Sequence, residues 1–305
     1  MKIAVLGAGA MGSIYGGHLS LHNEVYMIDK KADLVEKINA DGLKLFENDT
    51  DVTYRPKALL SSEDLGEVDL VILFVKSLFS EAALEENRHI IGKDTYVMTL
   101  QNGAGHEDIL AKFVPMERII IGTTEDNGAI LDNAYVRRGG KGKTNIGMLV
   151  KDADGMLDKI KESFDSCGFD THIYDNIQQL IWDKLFTNVS LSALTGVLQV
   201  PMGYIAADPY AWDMTVTLIK EAVAVAKAMG LDFDENLIIE RVRQTSEGSP
   251  EGRTSIYTDL SLGRKTEVNT ISGAVVRAGE KMGVPVPSHR MIVNMVHAME
   301  DKSRH

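Results

Sequence analysis

Hydrophobic residues in the first half of the chain come in short runs separated by charged or small residues. In the second half they recur at the three- and four-residue spacing of amphipathic helices. Residues 3–6, 25–28, 70–75, 96–100 and 119–121 are apolar runs of strand length, and 11–21 between the first two has helical character. Runs with no polar alternation predict a parallel sheet covered on both faces, hence an α/β fold. Within 134–149, Tyr135-Val136 and Ile146-Gly147-Met148-Leu149 flank basic and glycine-containing turn material, the pattern of an antiparallel addition at the sheet edge. Asp175-Asn176 then caps a predicted helix running from Ile177 through Trp182, Leu185 and Val189 to Leu194. Helices are also predicted over 209–229, ended by Gly230, and over 268–282, ended by Gly283 and the prolines at 285 and 287. Residues 241–254, with Gly248, Pro250 and Gly252, read as a connection, and Met291, Met295 and Met299 read as a packing stripe. The reading divides the chain into a sheet domain, 1–175, and a mainly helical domain, 176–305, whose last residues, 301–305, form a solvated end.

Charge narrows the partners. With 32 basic against 44 acidic residues, the net charge of −12 disfavours nucleic acid and leaves small metabolites as the expected ligands. The longest apolar runs are too short to cross a membrane, and Lys2 leads into a strand without an export pattern, so a soluble, cytoplasmic protein is expected. One cysteine, Cys167, excludes an intrachain disulfide framework and reads as a buried small side chain. His106-Glu107-Asp108-Ile109-Leu110 lacks the second histidine of a zinc-hydrolase helix, and neither His106 nor His289 has a ligand cluster nearby, so no metal is expected.

Gly7-Ala8-Gly9-Ala10-Met11-Gly12 lies between the first strand and its helix, the context in which such a glycine pattern binds a dinucleotide. Gly7 permits the turn, Gly9 lets pyrophosphate approach and Gly12 packs the helix close, while the helix amides attract phosphate. The first domain is therefore expected to be of the Rossmann type. Asp29, just beyond the second strand, is placed to accept hydrogen bonds from an adenosine ribose, which favours NAD(H) over NADP(H); Lys30 and Lys31 pull the other way, and a solvated turn acid is the alternative. Asn102, in Gln101-Asn102-Gly103, and Lys76 both follow parallel strands, where an amide and a cation can meet cofactor or substrate; a structural turn and a surface lysine are their alternatives. In Trp182-Asp183-Lys184-Leu185-Phe186-Thr187-Asn188, helical spacing puts Lys184 and Asn188 on nearby faces, so one can donate a proton while the other holds an oxygen.

Together with Pro201-Met202-Gly203 and the 255–267 region, these motifs in this order resemble the ketopantoate reductase (2-dehydropantoate 2-reductase) family, which includes related D-2-hydroxyacid dehydrogenases; the resemblance covers nearly the whole chain. It implies catalysis in a cleft between a dinucleotide domain and a helical domain, reduction of a 2-keto acid, usually with NADPH, and an oligomer, a homodimer at its simplest. It also implies Lys184 as general acid, Glu267 as a carboxylate orienting substrate and acid, and Asn102, Asn188 and Ser255 as substrate contacts. Two positions depart from the family pattern. Ser192 and Met202 stand where relatives often carry asparagine, which exchanges two amides for a hydroxyl and a thioether at the substrate side. With Asp29, they bring forward an NAD-dependent D-2-hydroxyacid dehydrogenase acting on branched or aromatic 2-keto acids. A non-catalytic dinucleotide sensor is the alternative from another class.

Overall fold

Apolar runs with no exposed face must pair on both edges and be covered above and below. In the computed structural model, which describes residues 1–302, they do so. Eight strands lie in the order Asp170–Ile173, Lys143–Gly147, Ile119–Thr124, Tyr96–Thr99, Leu70–Leu73, Lys2–Leu6, Glu24–Ile28 and Lys57–Leu59. From Ile119–Thr124 to Lys57–Leu59 the neighbours are parallel, and Leu70–Leu73 is buried at every residue. Lys143–Gly147 joins antiparallel, as its sequence predicts, but it is not the edge: Asp170–Ile173 pairs outside it. That strand, Asp170-Thr171-His172-Ile173, is too short and too polar to stand out as an apolar run.

Tyr135-Val136 does not belong to this sheet. Tyr135–Arg138 forms a second sheet in the order Thr50–Tyr54, Leu43–Glu47, Tyr135–Arg138, Gly128–Asp132. Alternate residues of Leu43–Glu47 point inward, and this sheet packs on the helix Ala10–Leu19, which is therefore buried from Gly12 to Leu19. A buried ionic cluster joins the two. His18 of the helix bonds Glu47 Oε2 at 2.9 Å through Nε2 and the Cys167 carbonyl at 3.0 Å through Nδ1. Tyr54 donates to Glu47 Oε1 at 2.6 Å, and Arg138 grips both oxygens of Asp126 at 3.0 and 2.8 Å. Burial works hardest against the Glu47 charge, yet Tyr54, His18 and Arg138 together hold its carboxyl below the ordinary glutamate value. Cys167 is buried, as expected, and desolvation raises its thiol pKa.

Two compact units result: Met1–Gln101 with His106–Ile177, and Asn102–Gly105 with the chain from Gln178 onward. Among the described residues the second unit is helical. Asp208 caps the helix Pro209–Ala228 by accepting from Tyr210 and Ala211 N–H, and Gly230 follows in the left-handed region at φ +83°. Residues 241–254 are not a connection throughout: the helix Glu235–Gly248 occupies most of them, capped by Asp234 and burying Ile238, Val242 and Ser246 at four-residue intervals. The helix predicted from Val268 begins at Ser272, because Thr270 and Ile271 both donate to the Glu267 carbonyl in a turn that precedes it. In Pro287–Lys302 the buried stripe is His289, Ile292, Val296 and Glu300, so Met291 and Met295 face outward rather than pack. His289 donates from Nε2 to the Leu218 carbonyl at 2.9 Å, and burial lowers its pKa. The end expected to be solvated, 301–305, lies outside the described residues from Ser303 on.

Two predictions follow from packing. A Cβ on Gly12 would stand 1.9 Å from the Gly7 carbonyl oxygen, whereas one on Gly9 meets nothing within 4 Å. In urea titrations Gly12→Ala should lose roughly 3 kcal/mol, the upper range for overpacking, and Gly9→Ala should stay within about 1 kcal/mol of wild type. Because the folded-state pKa of Glu47 is depressed, its contribution is present above the ordinary value of 4.5 and lost as pH falls through that value and then through the lower folded one. The stability gap between wild type and Glu47→Gln, read from denaturation midpoints, should therefore close on acidification; a gap independent of pH would show that the charge is not what Glu47 contributes.

Candidate active site

The glycine loop is held by its own backbone and one carboxylate. Gly7 sits at φ +98° and donates to the Ile28 carbonyl at 2.9 Å, which ties the ends of the first two parallel strands. A side chain there would strike Val75 N at 2.8 Å. Gly9 precedes the helix Ala10–Leu19, whose first turn has no side-chain cap, and Ser13 N–H donates back to the Gly9 carbonyl. Ala10 and Met11 are half-buried in that first turn. Asp29 accepts from Ala8 N–H at 2.8 Å through Oδ2 and from Lys31 N–H at 3.1 Å through Oδ1. The sequence did not reveal this bracing of the loop by Asp29. Each carboxylate oxygen has two lone pairs, so the brace leaves acceptor capacity for hydroxyl groups.

Beside the loop is a hollow of about 630 Å³, lined by Gly7, Asp29, Lys30, Ser61, Phe79 and Glu86 among others. Its volume and mixed lining suit an adenosine moiety. The space beyond Gly9 and the uncapped helix end suit a pyrophosphate, so these residues fit a dinucleotide. Lys30 Nζ pairs with Glu86 Oε1 at 2.6 Å on the rim.

Lys76 is exposed at the start of the turn Ser77–Phe79. The turn is held to the next strand by Gln101, whose Nε2 donates to the Val75 carbonyl at 2.5 Å and to Ser80 Oγ at 2.9 Å, while its Oε1 accepts from Thr99 Oγ1 at 2.8 Å. Gln101 thus links the two strand ends that carry Lys76 and Asn102, a role that its place beside Asn102 concealed.

In the helical unit the helix Ile177–Thr187 passes through a π turn, Asn188–Ser192, into Ala193–Leu198. Such wide turns recur at functional sites. Lys184 is exposed, Asn188 half-buried and Ser192 buried. Next to Lys184, Asp183 is gripped through both oxygens by Arg241 Nη1 at 2.8 Å. Thr254 Oγ1 lies 2.8 Å from Thr195 Oγ1 and caps the helix Ser255–Ser261 by accepting from Tyr257 N–H. The cap is therefore Thr254, not Ser255, which is left exposed at the first position of the helix. Met202 N–H donates to the Gly252 carbonyl at 2.8 Å, which sets Met202 against the segment that leads into this helix. Ser192, Met202 and Ser255 are in this way gathered around the start of one helix, and Asn188 stands at the first position of the π turn that ends in Ser192.

Glu267 and Asn102 form a second group. Asn102 is exposed and Glu267 half-buried. Ala104 N–H donates to the Thr270 carbonyl at 2.9 Å, and a Cβ on Gly103 would fall 2.1 Å from the same oxygen, so the loop Asn102–Gly105 lies against the turn that begins at Glu267. Glycine is required at 103, where φ is +101°.

Residues 3–151 match the family model described as ketopantoate reductase PanE/ApbA, and residues 176–300 match that of its C-terminal part. The chain is 31% identical to the 2-dehydropantoate 2-reductase of Pyrococcus horikoshii, across 98% of both chains. Against the enzyme of the same name from Halobacterium salinarum the identity is 30%, over 97% of this chain and 98% of that one. Among solved structures, D-mandelate dehydrogenase in a ternary complex with NADH and anilino(oxo)acetate superposes with a TM-score of 0.90 at 35% identity, covering 100% of each chain. The glycine loop, the lysine-bearing helix and this end-to-end similarity agree: the chain belongs to the ketopantoate reductase family.

Proposed function

We propose that this protein reduces a 2-keto acid to a 2-hydroxy acid with a nicotinamide dinucleotide, the first domain, 1–175, holding the dinucleotide and the second, 176–305, supplying the proton. The observation that carries the reading is the π turn Asn188–Ser192 at the end of the helix that bears Lys184, with the segment leading to Ser255 packed beside it and Met202 bonded to that segment, in a chain 35% identical end to end to D-mandelate dehydrogenase.

Gly7, Ala8, Gly9, Ala10, Met11 and Gly12 form the pyrophosphate cradle, Asp29 receives ribose hydroxyls, and Lys76 and Asn102 act at the ends of neighbouring parallel strands. When bound, the reduced nicotinamide supplies the hydride to the carbonyl carbon. As the C=O π electrons move onto oxygen, the Lys184 ammonium gives that oxygen its proton and is left as a neutral amine until solvent restores it. Asn188 and Asn102 donate amide hydrogens to substrate oxygens, Ser255 donates its hydroxyl, and the Glu267 carboxylate orients substrate and lysine. A cytoplasmic location and a homodimer belong to the same proposal, the first in keeping with a chain that has one buried cysteine.

A specific observation favours NADH and a less polar substrate than ketopantoate. At the adenosine hollow three carboxylates, Asp29, Glu63 and Glu86, face two lysines, Lys30 and Lys31, and Lys30 is paired with Glu86. A 2′-phosphate would enter a net negative rim, at a cost of about 1–4 kcal/mol for one charge pair at 4 Å. Met202 and Ser192 present fewer hydrogen-bonding atoms than two asparagines, which suits a branched or aromatic side chain.

Initial rates for NADH and NADPH crossed with ketopantoate and with branched and aromatic 2-keto acids test the proposal. Turnover should be fastest with NADH and an apolar keto acid; dinucleotide binding with no turnover of any would leave a sensor instead. Lys184→Ala should slow single-turnover reduction by about 10²- to 10⁴-fold with dinucleotide affinity unchanged. Asp29→Asn keeps an oxygen for Ala8 N–H but removes the charge, so it should raise the NADPH to NADH ratio of kcat/KM by roughly tenfold or more. A ratio left where it was would place the discrimination elsewhere on the rim.

A further inference from the structure

Glu300 is the one carboxylate of the helix Pro287–Lys302 counted among its buried residues, 4% exposed. It does not face solvent or a partner on its own helix alone. Oε1 accepts from Thr266 N–H at 2.8 Å and from Thr266 Oγ1 at 2.7 Å; Oε2 accepts from Lys265 Nζ at 3.0 Å and lies 3.1 Å from His297 Nδ1. The other nitrogen of His297 bonds Asn269 Oδ1 at 3.0 Å. One turn of the C-terminal helix therefore holds Lys265, Thr266 and Asn269, on both sides of Glu267. The segment has no helix or strand of its own to fix it. Its remaining bonds pass the constraint on: Thr266 Oγ1 accepts from Val268 N–H at 3.2 Å, the Glu267 carbonyl accepts from Thr270 N–H at 3.0 Å, and the Thr270 carbonyl receives Ala104 N–H. The same helix packs on Ala193–Leu198, the continuation of the π turn.

We infer that Glu300, assisted by His297, is a positioning residue for the reaction: it sets the backbone from which Glu267 acts and, through Thr270, the loop that bears Asn102. The inference rests on the proposed role of Glu267. A buried carboxylate with several donors is costly to place and costly to replace, which suits a part whose task is to fix a geometry. Burial opposes its ionisation, but the two Thr266 bonds, Lys265 and His297 outweigh that and keep its pKa below the ordinary value.

Glu300→Gln retains the volume and an oxygen for Thr266 but loses the charge. It should lower kcat/KM for the keto acid by about 10- to 100-fold, the scale of a small misplacement, while the dissociation constant for the dinucleotide moves less than about twofold. Double-mutant kinetics separate the causes. If Glu300 acts through Glu267 and the Asn102 loop, the loss in the pair Glu267→Gln with Glu300→Gln is smaller than the two single losses combined; fully additive losses would overturn the inference. Glu267→Gln at the wild-type rate would sink the reading of Glu267, whereas a slow Glu267→Gln beside a normal Glu300→Gln would sink only this one. Should Glu300→Gln not fold, His297→Phe, which cuts both imidazole bonds at a half-exposed site, should still cost about tenfold in kcat/KM; full activity there would count against the clasp.

Discussion

The contact between the Gly12 backbone and the Gly7 carbonyl is the constraint on which the first unit is built. With 1.9 Å available where a Cβ would sit, the helix can lie this close to the strand end only as glycine. That closeness leaves the first turn of the helix uncapped beside open space, and it carries His18, eleven residues after Gly7, to the far end of the same helix. There His18 meets Glu47 and the Cys167 carbonyl. A packing requirement at one end thus becomes a polar requirement at the other, because a buried imidazole and carboxylate need partners. Arg138 and Tyr54 supply them from the second sheet. The N-terminal end is held by sterics and the opposite end by hydrogen bonds, so the helix has little freedom to tilt.

The second unit solves a different problem. Its candidate residues come from four separate stretches: 102, 184–192, 202 and 255–267. No single helix can present them, and loops between helices must be fixed from outside. Hydroxyl groups do much of this. Thr254 joins the helix Ser255–Ser261 to Thr195, Ser246 Oγ donates to the Met202 carbonyl at 2.6 Å, and Thr266 hangs from Glu300. Short side chains with one donor and two acceptors suit the task, since they can bind a backbone group without filling the space a substrate needs.

What was legible in the sequence follows the range of the forces involved. The five central parallel strands and the glycine loop are local patterns, and they appear where the apolar runs and the motif place them, whereas the short edge strands Lys57–Leu59 and Asp170–Ile173 carry no such run. Helix 209–229 carried its own stop in Gly230, and its cap, Asp208, stands in the adjoining residue. Residues whose meaning lies in a distant partner were not legible. Leu43–Glu47 pairs with Tyr135–Arg138 across some ninety residues, so neither reads as part of a second sheet until the pairing is seen. Glu300 reads as one more charge in a polar helix end, and only its 34-residue separation from Thr266 hides the bond. The methionine stripe misled for a related reason: four-residue spacing identifies a helix face, but Ile292 and Val296 define an equally regular face one residue on, and packing chose that one.

Charge raises a last question, since a chain of net charge −12 is asked to collect an anionic dinucleotide and an anionic keto acid. The two demands are compatible because they act over different distances. At physiological ionic strength fields decay over about 8 Å, so most of the 44 carboxylates are not felt at a given oxygen of the ligand. In the proposed function what counts is the local set in each unit: the positive end of the helix Ala10–Leu19 and Lys76 in the first, and in the second Lys184 beside an Asp183 already neutralised by Arg241. Of the acids that do lie close, Asp29 is engaged by two backbone amides and Glu86 by Lys30, which leaves Glu63 to keep the adenosine rim negative. On that proposal attraction is confined to the few places where phosphate and carboxylate would sit, and a carboxylate-rich surface elsewhere discourages the larger polyanions that the same lysines would otherwise attract.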